Sequence, residues 1–218
     1  MKSTIHIWNE RHSILMLMAL FIAVAIGDIR VLPLLLSISI IYYIISNREE
    51  KHLWSYANIV TLFRLGIILF TTWNISDLEE TTLLMLFGIA LAMDGLDGYL
   101  ARHYKQASDF GAYLDMETDS FFVAALSFHW WQNHVTSWWI LIIGFMRYSY
   151  VLIFTIVKTK GKEKSTRFAK TIAVIFMLGM LSPWVLPLVY AWWVLIIISL
   201  LTAYSFGVSF VGRSGWGK

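Results

Sequence analysis

The chain has no cysteine, which excludes disulfides and thiolate chemistry and leaves the redox compartment open. Proline is nearly absent as well, with three in 218 residues. Charge is scarce: Asp, Glu, Lys and Arg make up 14% of the chain, against about a quarter in a soluble domain. No polar stretch is long enough to fold as a separate soluble unit. What fills the sequence is apolar. Hydrophobic residues reach 58% and mean hydropathy is +0.66. The apolar segments recur roughly every 20 to 30 residues, a period that suits membrane-spanning helices. The expected fold class is therefore all-α, a polytopic membrane protein. Eleven tryptophans and ten tyrosines suit the two interfacial belts of such a protein.

Two apolar runs, 13–27 and 31–46, come first and predict one or two extra N-terminal hydrophobic helices within 1–54. No small-residue cleavage site follows the first run, so a retained helix is expected there, not a signal peptide. Six spans follow, near 59–73, 82–100, 109–131, 138–157, 168–187 and 192–211. They make a six-helix membrane domain over 55–211 with a tail at 212–218. The segments near 101–109 and 158–167 are basic, whereas those near 74–82, 132–137 and 184–192 have no Lys or Arg. The two kinds alternate, which places the basic side in the cytoplasm. The net charge of +3 is small, and nucleic acid is not an expected partner.

Against this apolar background stand four carboxylates: Asp94, Asp97, Asp115 and Asp119. Charge inside a membrane helix is costly and by default marks function. Asp94 and Asp97 are three apart and share a helix face, as do Gly111, Asp115 and Asp119 at steps of four. Two helices presenting these faces to each other gather four negative charges, which demands cations between them. Oxygen ligands favour hard ions, Mg2+, Mn2+ or Ca2+, and two divalent ions balance four aspartates.

The spacing D-x2-D-G-x2-A-R-x8-G-x3-D-x3-D is met by Asp94, Asp97, Gly98, Ala101, Arg102, Gly111, Asp115 and Asp119. It resembles the signature of the CDP-alcohol phosphatidyltransferases over about residues 55–211. The resemblance implies a homodimer of six-helix cores with the site near the cytoplasmic face. It implies transfer of a phosphatidyl group from a CDP-linked lipid, such as CDP-diacylglycerol, to a small polar alcohol, with CMP leaving. Two divalent cations, Mg2+ or Mn2+, would sit on Asp94, Asp97 and Asp115 and on Asp94, Asp115 and Asp119, with Asp119 as the base. Asn58, Thr61 and Arg64 match a family segment that lines the nucleotide site, although Ala57 replaces the usual proline. With Gly98, Ala101, Arg102 and Gly111 they are the implied CDP or diphosphate contacts.

Arg147 lies in the fourth span, where relatives often follow arginine with an acid; here Tyr148 follows. The resemblance implies that Arg147 helps hold an acceptor phosphate, and a structural pairing with one of the aspartates weighs equally. Arg167 and Lys170 enter the fifth span, and the segment reads RFAKT, keeping only Lys170 and Thr171 of a family pattern linked to phosphorylated acceptors. Glycerol 3-phosphate and inositol phosphate are thus candidate acceptors. Asp109 is a candidate helix cap, and Glu117 is offset from the aspartate face. Two other readings stay open. One is a choline- or ethanolamine-type phosphotransferase that acts on diacylglycerol. The other is a divalent-cation carrier, which has no need of the fixed glycine, alanine and arginine positions.

Overall fold

The structure is a computed structural model that describes residues 4–49, 53–104, 108–157 and 167–214. The side chains of Asp97, Ala101, Arg102, Arg167 and Lys170 lie outside what is described. Secondary structure among the described residues is helical throughout: α1 Thr4–Ile26, α2 Val31–Ser46, α3 Tyr56–Trp73, α4 Glu80–His103, α5 Asp109–Gln132, α6 Trp139–Gly144, α7 Met146–Val157, α8 Arg167–Met180 and α9 Leu188–Ser214. The protein is an all-α polytopic membrane protein. Helices α1, α3, α4 and α9 are long and apolar enough to cross a bilayer. Large apolar side chains such as Phe21, Ile156 and Val189 stay at least 70% exposed, as lipid-facing residues should where water is absent.

Helix α5 is the axis. Phe110, Leu114, Phe121, Phe122, Ala124, Ala125, Leu126 and Phe128 are all buried along it, and the core closes around them. Its start is set by Ser108, whose Oγ accepts from Gly111 N at 3.0 Å. Ser108 therefore caps the helix, and Asp109 follows as its first residue. An extended serine leaves its hydroxyl free to reach back in this way.

The first helix begins earlier than the hydropathy suggests. The residues that precede the apolar run at 13–27 form the first turns of α1 from Thr4 on, and Ile5, Trp8, Asn9, His12, Ser13, Met16, Ala19 and Ala23 form one buried stripe. Gly27 ends the helix at φ +75°, a conformation glycine adopts without strain. Its N–H and that of Asp28 both bond to Ala23 O, and the chain turns into α2. Gln132 Nε2 bonds to Gly27 O at 2.8 Å, while Arg30 reaches Trp73 O and Asp77. The α1–α2 turn thus lies at the same end of the bundle as the α3–α4 and α5–α6 turns. The opposite end carries the α4–α5 connection.

The fourth span is not one helix. It breaks at Phe145 into α6 and α7 with no proline involved. Gly144 packs directly on Ser127 of α5, so close that a Cβ would overlap the serine side chain. Beyond the break, Arg147 and Tyr148 of α7 bond to Glu117 of α5.

Candidate active site

The site is built by three helices. Arg64 comes from α3, Asp94 from α4, and Asp115 and Asp119 from α5. Asp119 is ten residues into α5, so the site lies roughly 15 Å along the bundle from the α4–α5 connection. Arg64 is among the most buried large side chains, at 1% exposure. Its Nη1 bonds to Asp94 Oδ1, and its Nη2 to Asp115 Oδ1 at 3.2 Å and Asp119 Oδ1 at 2.6 Å. The aspartate side chains are far more open, between 27% and 45% exposed. The guanidinium therefore forms the floor, and the carboxylates rise from it toward an open side.

Three carboxylates facing one guanidinium leave two negative charges among these four side chains. A site that stays partly desolvated needs further cations to hold such an excess. One ligand oxygen from each of Asp94, Asp115 and Asp119 falls within 4.8 Å of the others. Mg2+ takes oxygens at about 2.0–2.1 Å, so two ligands of one ion lie no more than about 4.2 Å apart. Three ligands of one octahedral ion cannot all be trans, so the oxygens must draw closer than this around an ion, and their all-oxygen chemistry is the kind a hard divalent ion takes. Asp97 is on the same helix as Asp94, but its side chain lies outside the described residues, as do those of Ala101 and Arg102.

Around this floor the small residues have particular tasks. Gly111 is pressed against Asn58, and a Cβ at Gly111 would overlap Asn58 Oδ1. Asn58 is itself held by Leu53 O, which accepts from Nδ2 at 3.0 Å. Thr61 is buried and donates to Ala57 O at 3.0 Å. Of the three residues expected at the nucleotide, Asn58 and Thr61 thus sit in the packing of α3, and Arg64 meets the aspartates. Gly98 is part-buried on α4.

Arg147 finds its described partners in Glu117 and Asn9. Its Nη1 donates to Glu117 Oε2 at 2.5 Å and its Nη2 reaches Asn9 Oδ1 at 3.3 Å. Glu117 is fully buried and also accepts from Tyr148 OH at 2.5 Å. The acid missing after Arg147 in sequence is therefore supplied by another helix. Arg167 opens α8 and Lys170 follows one turn on, with side chains outside the described residues.

Comparison with known proteins agrees with this geometry. The sequence profile described as CDP-alcohol phosphatidyltransferase matches residues 54–204, and the chain belongs to that family. It is 41% identical over 58 residues to a CDP-diacylglycerol–glycerol-3-phosphate 3-phosphatidyltransferase of Yersinia pestis (strain Pestoides F), covering 27% of this chain and 31% of that one. It is 32% identical over 92 residues to the Escherichia coli (strain K12) protein of the same description, covering 38% and 47% respectively. The chain thus aligns with about a third to a half of the length of these relatives. No solved structure matches it.

Proposed function

We propose that the protein transfers a phosphatidyl group from CDP-diacylglycerol to a small polar alcohol, releasing CMP. The observation that carries this reading is the convergence of Asp94, Asp115 and Asp119 on one point, over Arg64, inside the family's motif. The printed names of the relatives favour glycerol 3-phosphate as acceptor.

Asp94, Asp97, Asp115 and Asp119 would hold two divalent ions, Mg2+ or Mn2+. When bound, these would neutralise charge on the diphosphate and on departing CMP. The protein's own part is positioning and charge placement, which dominate phosphoryl-type transfer. Arg64 holds the three carboxylates at fixed separations from beneath. Asp119, the deepest of them along α5, takes the proton of the attacking hydroxyl. Asn58 and Gly111 keep α3 and α5 in contact at the mouth, where Gly98, Ala101 and Arg102 would border the nucleotide. With Arg147 engaged by Glu117, the cations left for an acceptor phosphate are Arg167 and Lys170. The basic segments near 101–109 and 158–167 support a cytoplasmic orientation for this end of the bundle. The family resemblance supports a homodimer, which sizing in detergent checks.

The test is purified protein with CDP-diacylglycerol, Mg2+ or Mn2+, and a panel of acceptors, reading labelled lipid and CMP. Metal-dependent CMP release with glycerol 3-phosphate supports the reading. A protein that binds the ions but releases no CMP with any acceptor refutes it and favours cation carriage. CMP formed only with diacylglycerol and a CDP-alcohol favours the related phosphotransferases.

A further inference from the structure

A second polar cluster lies on the opposite side of α5 from the aspartates. It centres on Glu117, whose side chain is wholly buried. Tyr148 OH and Arg147 Nη1, both from α7, each lie 2.5 Å from its oxygens. From α1, His12 Nε2 comes to 2.9 Å of Oε1, a close electrostatic pair without good hydrogen-bond alignment. His12 is itself fixed. Its Nδ1 lies 2.7 Å from Ser39 Oγ of α2, and its ring stacks on Trp8 at 4.9 Å. Trp8 in turn bonds to Ser39 O. One carboxylate thus joins α1, α2, α5 and α7.

The position of Glu117 in the helix gives the cluster its consequence. Asp115 and Asp119 lie two residues to either side of it. Each residue turns the helix by roughly 100°, so Glu117 points roughly opposite to both aspartates, which share a face. Any rotation of α5 about its axis moves Glu117 one way and the aspartates the other. Apolar packing alone tolerates small rotations. Two directional hydrogen bonds and a third close polar contact on one buried carboxylate do not.

We propose that Glu117, held by His12, Arg147 and Tyr148, is a positioning residue that fixes the rotation of α5 and hence the placement of Asp115 and Asp119. The N-terminal helix pair, which lies outside residues 54–204, is then part of the working enzyme and not merely an anchor. The inference rests on the phosphotransfer reading above. Arg147 acts here through Glu117, not by touching the acceptor.

The experiment uses full-length His12→Leu, His12→Gln, Ser39→Ala and Met16→Ala. Two quantities are read: Mn2+ affinity of the substrate-free protein by electron paramagnetic resonance, and kcat and KM for CDP-diacylglycerol. Loss of a supporting partner typically weakens a metal site about 10- to 100-fold, so His12→Leu should weaken Mn2+ binding and lower kcat by that range. Donor KM should stay within about threefold, as expected when only transition-state positioning is lost. His12→Gln, whose amide keeps a polar N–H facing Glu117, should recover most of the loss. Met16 is buried on the same stripe of α1, and Met16→Ala should lower Tm while leaving Mn2+ affinity and kcat near wild type. If His12→Leu does not fold, Ser39→Ala carries the test, with a smaller loss in the same direction. Wild-type Mn2+ affinity and kcat in His12→Leu, or in Ser39→Ala where it stands in, overturn the proposal. So do losses in Met16→Ala that match those of His12→Leu. A wild-type protein that neither binds Mn2+ nor releases CMP overturns the phosphotransfer reading itself, and this inference with it.

Discussion

Arg64 Nη2 lies 2.6 Å from Asp119 Oδ1, so the residue proposed as base is tied to a buried cation on a different helix. This contact, with those to Asp94 and Asp115, makes α3 the floor of the site. It also makes the cluster's charge balance depend on one side chain.

Replacing that side chain tests the balance. Arg64→Gln leaves three carboxylates with no guanidinium beneath them. The variant should lose nearly all activity, and its Tm should depend more on Mg2+ than the wild type's, because the ion then neutralises the carboxylates alone. Thermal melts with chelator and with Mg2+ measure this. An Mg2+ shift equal to or smaller than the wild type's would show that Arg64 does not balance the aspartates.

Gly111 should tolerate no Cβ. Gly111→Ala drives a methyl into Asn58 Oδ1, and overpacking of this kind costs about 1–3 kcal/mol. It should lower Tm and CMP release together. Gly88 has nothing within 4 Å of an added Cβ, so Gly88→Ala should be neutral or slightly stabilising. Equal effects from the two substitutions would contradict the close α3–α5 contact.

The topology is checked by labelling. The native chain has no cysteine, so a single cysteine reports cleanly. Asp77 lies at the end shared by the α1–α2 and α3–α4 turns. A cysteine there should react from the outside of intact cells. One at Lys162, in the basic segment, should react only after the cells are opened. Labelling of both from one side would overturn the orientation.

Much of the site was legible because intrahelical spacing is a local property. Three- and four-residue steps placed Asp94 and Asp97 on one face and Gly111, Asp115 and Asp119 on another. The charge argument then demanded that the faces meet. Contacts between helices are not written in spacing. Arg64, expected at the nucleotide, bonds to three of the aspartates, a pairing that spacing along one helix does not show. Arg147 was weighed against an acceptor phosphate and an aspartate, and its partner is Glu117. The start of α1 precedes the first apolar run because Trp8, Asn9 and His12 have partners on α2, α7 and α5, which spacing along one helix does not show. The break at Phe145 carries no proline signal, and the close approach of Gly144 to Ser127 beside it is a contact between helices.

Lys170 provides a check on the acceptor. If the acceptor carries a phosphate, Lys170→Gln should raise its KM or lower kcat/KM by about ten- to a hundredfold, as loss of one charge-assisted contact of roughly 1.5–3 kcal/mol implies. Donor KM should change little. Unchanged acceptor kinetics would remove Lys170 from the pocket.

The central claim is that the aspartates over Arg64 perform CDP-dependent transfer, and Asp119→Asn tests it most directly. The substitution keeps size and packing but removes the base and one metal charge. With CDP-diacylglycerol, divalent ion and glycerol 3-phosphate, turnover should fall by about 10²–10⁴-fold or more, while the protein stays folded and still binds the donor. Activity near wild type in a folded Asp119→Asn protein would contradict the account.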